Sequence, residues 1–183
     1  MKDESFKMKI PYIVIIIFLA TISANSTFAQ KGSAFSTEFI DIWKRASEYT
    51  IEVAEAMPEE YYKYRLNENT FTFSQQLAHI ITNLYWLNST FVANESNPIK
   101  DAKLDDLSKN DLIKSLKDVF TYVEKSASVI SDKQSKDPVI FAGVIMDKKR
   151  IFYLMRDHLT HHRAQCITYL RLNNIEPPKY RGW

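Results

Sequence analysis

Asp157-His158-Leu159-Thr160-His161-His162-Arg163-Ala164-Gln165-Cys166 decides the reading of this chain. Three of its four histidines lie in these ten residues. His158 and His162 are four apart, so on a helix they stand one turn above each other on the same face. Two imidazoles at that spacing can close on one metal ion. The fourth histidine, His79, lies far upstream in a second helical segment.

The helix that carries this stretch is expected over about Asp147 to Asn173. Asn173-Asn174 supplies a stop, and Pro177-Pro178 forbids continuation. At 3.6 residues per turn, Ile151, Leu154, Met155, His162, Gln165, Cys166, Tyr169 and Leu172 all fall within roughly 80° of His158. That places the His158/His162 pair in the middle of a buried stripe, with His161 at its edge. Arg156, Thr160, Arg163 and Arg171 face elsewhere. Buried polar rings need partners.

Breakers divide the rest of the chain. Beyond residue 29 the prolines are Pro58, Pro98, Pro138, Pro177 and Pro178. The long spaces between them, with the stretch before Pro58, predict four helices. The first runs from about Ser36 to Ala56, with Phe39, Ile42, Trp43, Ala46, Tyr49, Thr50 and Val53 on one face. Tyr61 to Thr70 is an aromatic connection expected to pack over a bundle end. The second starts near Thr72, where Gln75 completes a capping box, and its core face is Leu77, Ile80, Ile81, Leu84, Leu87 and Phe91. The third starts after Ser108 and buries Leu112, Leu116, Val119, Phe120, Val123, Ala127 and Ile130. Pro138 to Met146 is apolar, contains Gly143 and is too short for a bundle helix; it reads as an extended lid or a short turn. The terminal Trp183 is expected to pack back.

On the second helix, His79 lies away from the Leu77/Ile81/Leu84 stripe, on a face with Gln76, Asn83, Trp86 and Thr90. Such a face lines a cleft or meets solvent, and the wheel does not choose.

Lys2, Lys7 and Lys9, the apolar run Ile10 to Ala20, and small residues ending at Thr27-Phe28-Ala29 have the pattern of a secretory signal peptide over 1–29. The run is short for a membrane span, which takes roughly 20 residues. The expectation is export to a bacterial periplasm or the extracellular space, with an uncleaved anchor as the alternative. Residues 30–183 then form one domain with no stable membrane association. The leader carries three of the 24 lysines and arginines and two of the 22 acids, so the remainder is nearly neutral, 21 against 20. That balance offers no electrostatic case for nucleic acid. A single cysteine, Cys166, excludes an internal disulfide framework.

Neutral imidazoles hold a divalent ion without cancelling its charge, and three of them leave a coordination position open, as in catalytic sites. A water or thiol bound there loses its proton near neutral pH. Zinc is the first expectation, with nickel or iron as the other metals that suit imidazole. Gln165 and Tyr169 are placed as residues that orient ligands or line the pocket. Cys166, one turn beyond His162, is read as a small core residue rather than a ligand.

Gln76-Leu77-Ala78-His79-Ile80, His158-Leu159-Thr160-His161-His162-Arg163-Ala164-Gln165, Tyr169-Leu170-Arg171-Leu172 and Ile175-Glu176-Pro177-Pro178 together resemble the DinB family, within the DinB/YfiT-like metalloenzymes. The resemblance covers nearly the whole chain after the leader. It implies an all-α, up-down-down-up four-helix bundle and a metal held by His79, His158 and His162. His161 is then a neighbour, and Gln165, Asn83, Trp86 and Tyr169 belong to the surroundings. It also implies homodimers and a small-molecule substrate. Relatives include thiol-dependent S-transferases, maleylpyruvate-type isomerases and metal-dependent hydrolases. Ala164 stands where the family often has glycine. Low-molecular-weight thiols are cytoplasmic, so an export signal favours hydrolysis, or metal binding without turnover, over thiol transfer.

Overall fold

The computed structural model describes residues 33–181. The leader, its cleavage point and Trp183 lie outside those residues. Four helices make the body: α1 Ala34–Ala56, α2 Phe73–Leu87, α3 Lys109–Val129 and α4 Lys148–Leu172. A hairpin of β1 Pro138–Phe141 and β2 Val144–Asp147 precedes α4. Among the described residues, no helix is long and apolar enough to cross a membrane.

Local chemistry sets the boundaries. Ser33 accepts from the Ser36 amide and starts α1 two residues before the expected Ser36. The reciprocal capping box at α2 is present: Thr72 Oγ1 accepts from the Gln75 amide at 3.1 Å, and Gln75 Oε1 accepts from the Thr72 amide at 2.9 Å. Ser108 caps α3 and Asp147 caps α4. At the far end of α4, Asn174 takes a left-handed conformation (φ 59°). The Ile175 amide then reaches back to the Leu170 carbonyl and the Asn174 amide to that of Arg171. That double bond pattern is a Schellman stop, which satisfies carbonyls the helix leaves open.

Two segments depart from a plain reading of period. After Leu87 the chain widens into a π-helical turn, Asn88–Ala93, closed by left-handed Asn94. This is why the apolar spacing continues to Phe91 although α2 itself has ended. The Pro138 to Met146 segment is a two-stranded hairpin. Ala142 and Gly143 turn it with φ of 49° and 78°, the pair of positive values that a two-residue hairpin turn uses.

Contacts along the helices fix their directions. Ala34 and Phe35 amides meet Asp132, just beyond α3, while Lys109 at the start of α3 donates to the carbonyls of Glu55 and Met57. So α1 and α3 are antiparallel. Tyr85 stacks on Tyr122 and Asn88 donates to Ser126, so α2 and α3 run parallel. His79 meets His158 and Gln76 meets His162, so α2 and α4 are antiparallel. Phe35 and Phe39 pack on Phe152, so α1 and α4 are parallel. The order around the bundle is α1-α3-α2-α4, up-down-down-up as expected.

The core runs the length of the bundle. Trp43 is fully buried, stacks on Phe39, and donates its indole N–H to the Phe120 carbonyl at 3.1 Å. Trp43→Ala would cost about 3–5 kcal/mol, as large aromatic deletions in cores do. In the aromatic connection, Tyr62 is buried and donates to the Ala54 carbonyl, whereas Tyr61 stays exposed.

The buried stripe of α4 differs from the expected one. Phe152, Leu159, Arg163 and Leu170 are buried, while Gln165 and Leu172 are exposed and Leu154 is only half-buried. The stripe therefore centres near Cys166, about 80° around the helix from His158. The cause is that α4 packs against both α1 and α2, so its buried arc faces the bundle axis. His158 sits at the edge of that arc, on the α2 side, and Arg163 sits inside it.

Candidate metal centre

His79 comes from the first half of α2, and His158 and His162 from the middle of α4. The antiparallel register of the two helices brings them to one level. Nε2 of His158 lies 3.2 Å from Nε2 of His79 and 3.1 Å from Nε2 of His162. Each ring offers one nitrogen to a group whose atoms all lie within 4.8 Å of one another. A tetrahedral ion with Zn–N bonds of about 2.0–2.1 Å holds its nitrogens roughly 3.3 Å apart. The observed spacings fit that donor set.

Proton bookkeeping points the same way. Nδ1 of His162 lies 2.6 Å from Oε1 of Gln76. An amide oxygen only accepts, so the His162 proton is on Nδ1 and its Nε2 holds a lone pair toward the cluster. His158 shares its Nε2 between two neighbouring nitrogens, and one N–H there cannot serve both well. Three lone pairs aimed at one cation resolve the conflict. Nδ1 of His158 is buried without a partner, consistent with a ring placed for the work of its other nitrogen.

The environment keeps these rings neutral. Burial lowers the pKa of His158 to about 4, and neighbouring His79 and His161 add to the shift. Burial lowers that of His162 to about 3, with His158, His79 and His161 reinforcing it. His79 is lowered as well, by burial first and then by His161. Neutral imidazole is the form that ligates a metal.

The other expected residues separate. His161 is exposed and stands edge-on to His162, outside the converging nitrogens. Gln165 is exposed. Asn83 is half-buried one turn beyond His79, and its Oδ1 is buried and unpaired. Trp86 is partly exposed and packs on Phe91 and on Phe141 of the hairpin. Tyr169 donates to the Phe71 carbonyl at 2.8 Å, and the Phe71 ring lies 5.5 Å from that of His79. Tyr169 thus anchors the segment that enters α2. Cys166 is fully buried, and burial pushes its thiol pKa up. It belongs to the packing. Asp157 is exposed and paired with its neighbour Arg156, away from the cluster's nitrogens.

The sequence alone does not mark Gln76 as a site residue. It is 5% exposed, one of two polar residues, with Ser74, among the buried residues of α2. Its place three residues before His79 was the available signal, since positions i and i+3 share a helix face.

A groove of about 480 Å³ borders His79, lined by Phe71, Gln75, Thr82 and the Lys103 to Asp106 stretch. A larger cavity of about 690 Å³ lies beneath the Glu176 to Tyr180 tail, and no histidine lines it. Chemistry, rather than size, favours the first.

Comparison with known proteins agrees with the fold. Among solved structures, a DinB-like protein from Bacillus subtilis superposes with a TM-score of 0.67 at 16% identity, covering 80% of this chain and 99% of that one. A DinB-like protein from Bacillus cereus ATCC 10987 gives 0.67 at 17% identity, covering 79% and 96%. No curated protein matches. The model of the DinB family matches residues 26–181, a span that takes in all four helices and every histidine of the cluster. The chain belongs to the DinB family.

Proposed function

We propose that the protein is an exported, divalent-metal-dependent enzyme acting on a small molecule by hydrolysis or S-transfer. The observation that carries this reading is the convergence of three Nε2 atoms from two helices, with no carboxylate or thiol among the described residues to close the set. His79, His158 and His162 would hold the ion, zinc first and nickel or iron next. When bound, the ion supplies Lewis acidity and lowers the pKa of a water or thiol on its open side. Gln76 keeps the His162 proton on Nδ1 and so keeps the ligating nitrogen free. Burial on α2 and α4 keeps all three rings unprotonated at neutral pH. Phe71, whose carbonyl Tyr169 holds, packs against one flank of His79.

Metal analysis of the purified protein tests this reading. The expected result is about one zinc, nickel or iron per chain, lost in His162→Ala. An unchanged metal content in that variant would overturn it.

A second reading is an exported bundle that binds metal without turnover. It is favoured by the absence of an obvious general base among the described residues: the nearest acid in sequence, Asp157, is exposed and engaged by Arg156. Metal-dependent turnover of esters, amides or thiol acceptors would decide for the enzyme. Homodimerisation, which the family resemblance implies, is testable by light scattering of the same preparation.

A further inference from the structure

Two buried polar atoms near the cluster are unpaired and chemically complementary. One is Nδ1 of His158; the other is Oδ1 of Asn83. With a metal held on its Nε2, His158 would carry its proton on Nδ1, which is then a donor. The amide oxygen of Asn83 is an acceptor. The fold places them near the same level. Gln76 opposite His162 and His79 opposite His158 set the antiparallel register of α2 and α4. Asn83 lies one turn beyond His79, at 40° from it around α2, in the direction that α4 takes from His158 toward its own start. Gln76 already performs this task for the other α4 histidine, accepting from His162 Nδ1.

We propose that Asn83 is a positioning residue that accepts the Nδ1–H of His158, directly or through one bridging water. The inference rests on the metal-binding reading above. On it, α2 presents Gln76, His79 and Asn83 as a unit. The central residue ligates, and each flanking amide orients one histidine of α4. Outer partners of this kind fix the tautomer and ring angle of metal-bound histidines.

The test compares zinc affinity of the full chain with that of Asn83→Leu, Asn83→Ala and Asn83→Asp, by competition with a chromophoric chelator. Leu and Ala are expected to weaken zinc about 10–100-fold, the usual effect of losing such a partner. Asp keeps an acceptor and is expected to bind at least as tightly as the parent. A purely structural role would instead lower the thermal stability of the metal-free protein and leave affinity alone. The metal-free Leu variant is expected to melt close to the parent, because the acceptor it removes has no partner until a metal fixes the His158 proton on Nδ1. In the zinc-loaded parent, nitrogen-15 spectra should show a protected Nδ1–H on His158, lost in Leu and Ala. Zinc affinities of Leu and Ala within twofold of a zinc-binding parent would overturn the role of Asn83 alone. A folded parent that binds no zinc, nickel or iron would overturn the metal reading and this inference together.

Discussion

Nδ1 of His162 and Oε1 of Gln76 are 2.6 Å apart inside the seam between α2 and α4. The bond fixes which imidazole nitrogen is free. Gln76→Leu fills much of the same buried space with an apolar side chain but removes the acceptor. It is expected to weaken zinc binding about 10–100-fold, measured by chelator competition. Gln76→Glu keeps the acceptor and adds charge, so it should bind zinc at least as tightly. Equal affinities for the parent and Gln76→Leu would show that this bond orients nothing that matters.

The depressed histidine pKa values predict an acid-sensitive metal-free protein. Unfolded histidines titrate near 6.5. In the folded state His158 and His162 stay neutral down to about 4 and 3. Between those values the unfolded chain binds more protons, so stability rises with pH there. Their contribution is complete above about pH 6.5 and is lost as pH falls toward 4. Thermal unfolding in a chelator between pH 4 and 8 should show this slope. His162→Phe should flatten it. A melting temperature that is level from pH 6.5 to 4.5 would contradict the assignment.

Arg163 is 7% exposed, lies over the Tyr49 ring, and donates to the Ala46 carbonyl at 3.0 Å, with Thr50 Oγ1 at 3.4 Å. Burial lowers its pKa, opposed by Tyr49 and Tyr180. It ties α4 to α1 through a charge-assisted bond and a stacked guanidinium. Arg163→Ala is expected to destabilise by about 2 kcal/mol, the scale of hydrogen bonds to charged groups. Arg163→Lys should recover less than half of that, because an ammonium lacks the planar fork and stacks poorly. Zinc affinity should stay within threefold for both. Urea unfolding reads the first two effects, and a fully stable Arg163→Lys would refute the stacking account.

That residue also marks where the sequence is legible and where it is not. Proline spacing and caps at Thr72, Ser108, Asp147 and Asn174 locate the helices to within a few residues, because those signals are local. The His158/His162 spacing is local too. A wheel drawn around His158 assumes that this residue faces the core. The core instead lies where α1 and α2 both meet α4, and that is a property of the assembled bundle. Hence Arg163 turns inward and Gln165 outward. The arrival of His79 depends equally on a register between distant helices, which periodicity permits and the family resemblance supplies. Gln76 shares a face with His79, but only the register shows that it meets His162.

Zinc should stabilise the native state by mass action, since the three nitrogens converge only when α2 and α4 are docked. At free zinc 100-fold above the dissociation constant, linkage gives about 2.7 kcal/mol. For a domain of this size, 1 kcal/mol moves the melting temperature by about 2–4 °C. A rise of roughly 5–11 °C is therefore expected on loading the parent protein. His79→Ala removes the α2 ligand and leaves the α4 pair intact. It should lose most of the rise while the metal-free melting temperature changes little, because His79 is only half-buried. Should His79→Ala retain the full shift, zinc would be bound by the α4 pair with some other partner, and the docking of α2 would not be part of the site.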